Sequence, residues 1–439
     1  MSNLTFKGGV HPHDGKELSK DSPIVELKPI GDMVYPLSQH IGAPATPVVA
    51  KGDYVLEGQL IAAAGGFVSA NIHSSVSGTV KAIEPRLVAT GGMVNSIVIE
   101  NDGEYKTVDY SANTKPLDEL TDDDIRNVIK DAGVVGMGGA GFPTNVKLTP
   151  KNIDAIEYII VNGAECEPYL TSDYRRMIEE PERVVGGLKI VLKLFKNAVG
   201  YIAIEDNKPD AIKKISELVK DEERISVKPV KTKYPQGGER TLIYATTKRE
   251  INSKMLPADA GCIVHNIDTI VSIYNAVIEG WPLTKRIVTV TGALVNNPGN
   301  FYVYLGMNYR QLIEAAGGLK KDAVKFISGG PMMGFAMSSL DVPVTKGSAS
   351  LLVLEEDYVA KVEPSACIRC GRCVEVCPER IIPSKLAALA QRGDKEGFMG
   401  LNGMECVECG SCSYICPAKR HLTQNIKAMR RNIMASMRK

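Results

Sequence analysis

Eight of the ten cysteines fall in two runs of identical spacing near the end of the chain. Each run reads Cys-x2-Cys-x2-Cys-x3-Cys-Pro, first over residues 367–378 and again over residues 406–417. Three closely spaced thiolates on a tight loop suit three corners of an iron–sulfur cubane, and the repeat is typical of proteins with two 4Fe–4S clusters. Gly371 and Gly410 lie between the second and third cysteines and allow backbone N–H groups to approach the sulfides.

In paired runs of this kind, the fourth cysteine of each run binds the cluster of the other run. We therefore predict two crossed ligand sets: Cys367, Cys370, Cys373 and Cys416 for one cluster, and Cys406, Cys409, Cys412 and Cys377 for the second. Zinc also accepts four thiolates, but zinc sites usually pair one Cys-x2-Cys with a distant partner. Disulfides are not expected because no secretory signal opens the sequence. The prediction is a double 4Fe–4S ferredoxin-type domain over residues 360–418.

Composition limits the remaining possibilities. The chain has 439 residues, a formal net charge of +1 and 44% hydrophobic residues, which is enough for about three to five domains. Near-neutral charge gives no reason to expect a nucleic-acid partner. No apolar stretch has the length of a transmembrane helix, so we expect any membrane association to be peripheral. Cluster thiolates and the missing signal sequence favour a reducing cytoplasm.

A predicted N-terminal segment, residues 1–35, is followed by short alternating strands with frequent glycines, which indicate an all-β domain over residues 36–112. Residues 49–59 and 73–80 resemble the two halves of a lipoyl- or biotinyl-type barrel-sandwich hybrid. Such domains carry their prosthetic group on a lysine at a hairpin tip, and no lysine lies between positions 51 and 81. We therefore expect a structural or docking module.

Strands and helices alternate over residues 115–285. Residues 155–161 and 198–204 are apolar and strand-sized, and residues 209–219 and 267–278 have helical periodicity. Alternation of this kind predicts an α/β domain with a largely parallel sheet. Ligands of such sheets bind at the carboxyl ends of the strands.

This α/β region contains three motifs that could hold a nucleotide. The glycine-rich stretch 136–147 leaves backbone N–H groups free for phosphate. Glu165 and Glu167 come directly after a predicted strand, where they could hydrogen-bond to a ribose or a flavin edge, or could cap the following helix instead. A further glycine turn with an acid occupies residues 234–240.

In this order, the three motifs resemble the flavin subunit of respiratory complex I. There, a loop ending in Gly-Phe-Pro-Thr, an Asn-x-x-Glu-x-Glu-Pro strand end and a Tyr-x-x-Gly turn surround FMN and NADH. The resemblance implies a cofactor-binding set of Gly136, Gly138, Gly139, Ala140, Phe142, Lys147, Asn162, Glu165, Tyr234, Gly237, Asn266 and Thr269. It implies that the catalytic carboxylates orienting the rings are Glu165, Glu167 and Glu239. Ala164 and Gly238 depart from the pattern, because the complex I protein has acids there.

Two further segments complete the chain. Residues 286–355 resemble the β-grasp module that follows the flavin domain in the same family. The tail, residues 419–439, is basic and has apolar residues at helical spacing, namely Leu422, Ile426, Met429, Ile433 and Met437. Such a helix either lies on anionic lipid or a partner subunit, or is a surface helix of its own domain.

The module order resembles the C subunit of the Rnf complex, an ion-translocating ferredoxin:NAD oxidoreductase. The implied fold is multidomain α/β plus β: barrel-sandwich hybrid, flavin domain, β-grasp domain and ferredoxin-like domain. The implied function is hydride exchange between NAD(H) and FMN, with single electrons passing through two 4Fe–4S clusters. The implied location is peripheral, on the cytoplasmic side of the cell membrane, with membrane subunits and a ferredoxin-like iron–sulfur subunit as partners.

Two alternatives stay open at the level of sequence. One is the cobalamin reductase of propanediol-utilising microcompartments, which copurification with membrane subunits would distinguish. The other is a non-catalytic electron-transfer scaffold, which NADH-dependent reduction of a dye by the isolated chain would exclude.

Overall fold

The N-terminal segment is spread across other domains. The computed structural model describes residues 4–111 and 114–437, and in it β1 (Ile24–Leu27) pairs in parallel with the strand Gly299–Tyr304, far along the chain. Leu4 forms a parallel bridge with Val230, and Val10 an antiparallel one with Tyr234. The predicted segment 1–35 therefore contributes to the two central domains.

Two small antiparallel sheets form the next domain, in the orders β2-β8-β7-β4 and β3-β5-β6. The strands are β2 (Asp32–Pro36), β3 (Thr46–Pro47), β4 (Tyr54–Val55), β5 (Leu60–Ala63), β6 (Ile72–His73), β7 (Gly78–Leu87) and β8 (Met93–Asn101). Their inward residues, such as Met33, Ile61 and Ile97, are fully buried. This confirms the predicted all-β domain, in which the period-two pattern turns one face of each strand inward.

The α/β domain contains four parallel strands, as predicted. They are β9 (Tyr158–Gly163), β10 (Val199–Glu205), β11 (Ile225–Val230) and β12 (Cys262–Asn266), in the order β11-β10-β9-β12. The helices are α1 (Asp122–Asp131), α2 (Thr144–Lys147), α3 (Ser172–Glu179), α4 (Pro181–Leu194), α5 (Pro209–Leu218), α6 (Glu239–Thr247) and α7 (Ile267–Glu279). A Cβ on Gly187 of α4 would lie 2.2 Å from the carbonyl oxygen of Ile270, so this glycine permits the close approach of α4 and α7.

The third domain is built on a mixed sheet in the order β1-β14-β13-β17-β15-β16. Its elements are β13 (Lys285–Thr291), β14 (Gly299–Tyr304), α8 (Tyr309–Ala315), β15 (Lys325–Ser328), β16 (Phe335–Met337) and β17 (Ser350–Leu354). The buried residues of this sheet and of the barrel-sandwich domain form one continuous core, which includes Tyr35 and Tyr309. These two domains therefore pack as one unit.

The cysteine-rich domain is helical in the part of the chain described. Its helices are α9 (Arg372–Glu375), α10 (Pro383–Gln391), α11 (Lys395–Gly400), α12 (Ser411–Ile415) and α13 (Leu422–Met437), and a short 3-10 turn lies at Gly403–Glu405. Two further 3-10 turns lie outside this domain, at Lys16–Leu18 and Pro257–Ala260. Helix α10 lies between the two cysteine runs. Pro383 suits its first turn because that position needs no backbone N–H.

The apolar side of the tail is covered by its own domain. Leu422, Ile426, Met429 and Ile433 are buried against α10 and the cysteine loops, whereas Met437 is 69% exposed. The surface-helix interpretation therefore holds for residues 422–433, and two basic residues of the predicted tail, Arg438 and Lys439, lie outside the described residues. Among the described helices, none combines the length and apolarity needed to span a membrane.

Candidate functional site

The candidate nucleotide site lies where the parallel sheet reverses its strand order. β9 leads to β10 and β11 on one side, while β12 returns to pair with β9 on the other. Asn162 and Asn266 are register partners at the carboxyl ends of these two strands. Open α/β sheets bind ligands in the crevice at such a point.

The glycine-rich loop lies over this crevice. It closes with a hydrogen bond from Gly136 N to Phe142 O at 2.9 Å, and the Thr269 hydroxyl accepts from Met137 N at 3.0 Å. A Cβ on Gly138 would lie 2.8 Å from the Cβ of Asn266, so the loop reaches its position only with glycine there. Gly138, Gly139 and Ala140 form an exposed tip whose backbone can meet a ligand.

Glu165 follows β9 with a left-handed backbone, φ 49°. Its Oε1 accepts from Asp173 N at 2.7 Å, while its buried Oε2 has no hydrogen-bond partner and lies 3.8 Å from Lys16 Nζ. Burial raises the pKa of the Glu165 carboxyl, and the positive charges of Lys16 and Lys208 oppose that rise. An unpaired buried oxygen at this edge is suited to accept a hydrogen bond from a ligand.

A second buried carboxyl lies beside Glu165. Asp173 Oδ2 accepts from Asn266 Nδ2 at 2.6 Å, and Asn266 Oδ1 accepts from Asp268 N at 2.8 Å, which caps α7. Burial raises the pKa of Asp173 to about 8, and the negative charges of Glu165 and Asp268 act in the same direction. Asp173 is therefore mostly protonated at neutral pH.

Asn162, Lys147 and Glu239 fix the other wall of the crevice. Asn162 Nδ2 donates to Gly237 O at 2.8 Å, which holds the 234–240 turn against the end of β9. Lys147 Nζ donates to Val264 O at 2.8 Å and to Glu239 Oε1 at 3.0 Å. Both of these charged side chains are partly exposed, as expected at the mouth of a site.

Glu167 and Tyr234 make contacts with neighbouring domains. Glu167 Oε1 accepts from the backbone N–H groups of Met332 at 2.7 Å and Met333 at 3.1 Å, in the third domain. Burial raises the pKa of Glu167, and the two N–H donors oppose the rise. The Tyr234 hydroxyl donates to Cys409 O at 2.7 Å, in the cysteine-rich domain. Both side chains lie at domain interfaces.

The second cysteine run forms one cavity with the last cysteine of the first run. Cys377, Cys406, Cys409 and Cys412 all line it. Burial raises the pKa of Cys377, Cys406 and Cys412 to about 12, so thiolates there need a bound cation. Among residues 4–111 and 114–437, no group of His, Cys, Asp or Glu side chains is arranged to hold a single metal ion.

Three of the four remaining cysteines of the block are more exposed. Cys367 and Cys370 are exposed, Cys373 is intermediate and Cys416 is buried. Ser365 N donates to Ala418 O at 3.0 Å, which places the first loop beside the end of the second run. This hydrogen bond connects the segments that flank the first and last cysteines of the block.

Several residues of the site and its interfaces were not predicted. Lys16 comes from the N-terminal segment and donates to Glu167 O at 3.1 Å and to Leu170 O. Arg240 Nη1 joins the α/β domain to the cysteine-rich domain, at 2.9 Å from Glu379 Oε2 and 3.0 Å from Glu405 Oε2. Arg240 is adjacent to a predicted motif, but nothing near Lys16 in the sequence indicates its role.

Comparison with protein families matches each domain. The matches are RnfC Barrel sandwich hybrid domain over residues 4–104, Nuo51 FMN-binding domain over 129–275, SLBB domain over 287–336 and 4Fe-4S dicluster domain over 366–419. Fold and site thus define an electron-transfer protein that joins an FMN-binding domain to a 4Fe–4S dicluster domain. The predicted fold class is confirmed.

Curated relatives identify the family. The chain is 45% identical over 88% of its length to the C subunit of the proton-translocating ferredoxin:NAD(+) oxidoreductase complex of Clostridium ljungdahlii, covering 85% of that relative. It is 44% identical over 99% of its length to the C subunit of the Na(+)-translocating complex of Acetobacterium woodii (98% covered). It is 38% identical over 90% of its length to the C subunit of the ion-translocating oxidoreductase complex of Rhodobacter capsulatus (77% covered). The chain belongs to the family of C subunits of Rnf-type ion-translocating oxidoreductase complexes.

A solved structure agrees at the level of fold. The chain aligns with the crystal structure of an NAD+-reducing NiFe hydrogenase with a TM-score of 0.51 and 17% identity, over 75% of this chain and 63% of that one. At this identity, the match supports the shared fold alone.

Proposed function

We propose that this chain is the component of an ion-translocating ferredoxin:NAD+ oxidoreductase at which electrons enter or leave as NAD(H). Relatives over nearly the whole chain are named as C subunits of such complexes. We further propose that it lies on the cytoplasmic side of the cell membrane, held by membrane subunits, with a ferredoxin-like iron–sulfur subunit among its partners.

The crevice residues fit a flavin and a dinucleotide. When bound, FMN supplies the exchange between the hydride of NAD(H) and single electrons. The exposed tip at Gly138–Ala140 offers backbone N–H groups to phosphate, and Phe142 offers a ring for stacking. Glu165 Oε2 is buried without a hydrogen-bond partner, which leaves it free to accept a hydrogen bond from a ring or ribose.

Residues at the domain interfaces fix the position of the crevice relative to the cysteine loops. Glu167, which the resemblance places near the nucleotide, accepts hydrogen bonds through Oε1 from the backbone N–H groups of Met332 and Met333 in the third domain. Lys147 and Glu239 form an ion pair at the mouth, where a charged nucleotide would enter. We keep Glu165 and Glu239 as the carboxylates that orient the bound rings, and assign Glu167 a positioning role.

The cysteines fit two clusters held by the crossed sets described above. The cavity shared by Cys377 with Cys406, Cys409 and Cys412 supports the crossing, because it brings the last cysteine of one run to the other run. A thiolate set of this kind is the usual ligand set of a 4Fe–4S cluster.

One contact carries the proposal. The Tyr234 hydroxyl, from the turn beside the nucleotide crevice, donates to the backbone carbonyl of Cys409 at 2.7 Å. The predicted flavin site and the predicted second cluster are therefore joined through a single side chain. That arrangement suits electron transfer from the crevice to the second cluster.

The test is anaerobic purification followed by iron, sulfide and flavin assay and addition of NADH. We expect about eight irons per chain, from the ligand count of two cubanes, and flavin that NADH bleaches. Glu165→Ala should impair flavin retention or its reduction by NADH, while Glu250→Ala, an exposed acid of the same domain, should not. A flavin that dithionite reduces and NADH does not would contradict the proposal and favour a non-catalytic scaffold.

A further inference from the structure

The two cysteine loops share a backbone conformation as well as a spacing. We call residues 367–373 the exposed loop and residues 406–412 the covered loop. Gly371 and Gly410 both adopt the left-handed conformation, with φ 79° and 84°. The residue before the second cysteine has φ 58° in each loop. Equivalent positions of the two loops can therefore be compared directly.

The covered loop is an interface within the protein. Val407 packs in one apolar cluster with Val10, Tyr234 and Met332 from the N-terminal segment, the α/β domain and the third domain. A Cβ on Gly410 would lie 3.1 Å from Met332 O. The side of this loop that faces the candidate flavin site is thus apolar and closely packed.

The same side of the exposed loop has no such covering. Ile368, at the position of Val407, is 65% exposed, and a Cβ on Gly371 would meet nothing within 4 Å. Tyr358 and Val359, a few residues earlier, are 73% and 58% exposed. Exposed apolar side chains therefore lie on the exposed loop and in the segment that leads into it.

The charges of the two loops differ in a way that indicates a partner. In the covered loop, Glu408 is neutralised by Lys427 at 3.6 Å and by Arg430. The equivalent residue in the exposed loop is Arg369. In the part of the chain described, neither Arg369 nor the nearby Arg372 makes an ion pair. A surface with an apolar centre and unpaired cations is complementary to an apolar surface with an acidic rim.

We propose that the exposed loop is a docking face for a second electron-carrier protein, one that surrounds its own redox centre with acidic residues. The contact between the exposed loop and this partner would resemble the packing of the covered loop, but it would form between two proteins rather than within this chain. Each encounter passes one electron, so that one protein is oxidised and the other reduced by one electron. This inference rests on the proposed function and adds the face and the charge of the partner.

The test measures binding of a small acidic two-cluster ferredoxin to the anaerobic holoprotein over a series of salt concentrations. Arg369→Glu should weaken binding about tenfold at low salt and flatten its salt dependence, because like charges then face each other. Lys395→Glu is the control, since it reverses an exposed charge on α11 of the same domain. Ile368→Ser should weaken binding with the salt dependence kept. Iron content should be unchanged in all three variants.

Equal affinities of Arg369→Glu and Lys395→Glu for the ferredoxin would overturn the proposal. It would also be overturned if the wild type bound vesicles containing phosphatidylglycerol through Arg369 and did not bind the ferredoxin. If NADH failed to reduce the flavin while Arg369-dependent ferredoxin binding persisted, the docking face would be supported and the proposed function contradicted.

Discussion

Replacing Lys16 with methionine removes the buried cation beside the candidate flavin-site carboxyl. The Lys16 Nζ lies 3.8 Å from Glu165 Oε2, and both side chains are almost fully buried. Methionine keeps an apolar stem of similar length, so the substitution mainly removes charge. Lys16→Arg keeps the charge, and Lys20→Met removes an exposed lysine from the same segment.

The expected effect follows from the distance. Opposite unit charges at this separation attract by about 4 kcal/mol at an effective dielectric constant of about 20, which sets the upper limit of what the substitution removes. Burial already raises the pKa of Glu165 above its ordinary value of 4.5, and Lys16 opposes the rise. Lys16→Met should therefore raise the pKa of Glu165 further.

The sign of the stability effect is then fixed. A carboxyl whose pKa is higher in the folded than in the unfolded protein contributes stability below its unfolded pKa, and this is lost as the pH rises through the folded pKa. In Lys16→Met, the free energy of unfolding should thus fall by up to about 4 kcal/mol more than in Lys20→Met as the pH rises above the ordinary pKa of a glutamate, about 4.3.

Denaturant unfolding of the anaerobic protein at several pH values measures this difference. The pH dependence of NADH-driven flavin reduction should shift upward in Lys16→Met and stay in place in Lys16→Arg. The reasoning would be refuted if the free energy of unfolding changed with pH in the same way in Lys16→Met and Lys20→Met.

Three further substitutions test the loop and the interfaces. Gly138→Ala should lower the free energy of unfolding by about 1–3 kcal/mol, because its Cβ meets Asn266, whereas Gly139→Ala should change it by less than about 0.5 kcal/mol; equal denaturation midpoints would count against the loop geometry. Arg240→Gln should cost about 2–4 kcal/mol at neutral pH by leaving two partly buried carboxylates without their cation. That cost should shrink in acid, and a cost independent of pH would argue against the ion pairs. Tyr234→Phe should cost about 1 kcal/mol and alter the EPR signal of one cluster; identical spectra would exclude the Cys409 contact.

The fold could be predicted in large part because its signals are local. Apolar, strand-sized runs predicted β9 and β10, and helical periodicity predicted α5 and α7. Strand β9 begins at Tyr158 rather than at residue 155, because residues 155–157 precede the ladder and Glu157 N donates to Gly261 O. Apolar character alone does not mark where pairing begins.

Contacts between distant segments could not be predicted. β1 pairs with β14 across the chain, and Lys16 reaches Glu165 from a segment that has no pattern of its own. Glu165 has φ 49°, a left-handed conformation that the sequence does not indicate. For the tail, helical spacing predicted an apolar side but not which surface covers it.

The most direct measurement of the central claim is reduction of the clusters by NADH, followed by EPR, in anaerobic protein with and without its flavin. We predict that NADH reduces the clusters in flavin-loaded protein, that removal of the flavin abolishes this reduction, and that added FMN restores it. Cluster reduction by NADH that does not depend on the flavin, or protein that contains zinc in place of iron, would contradict this claim.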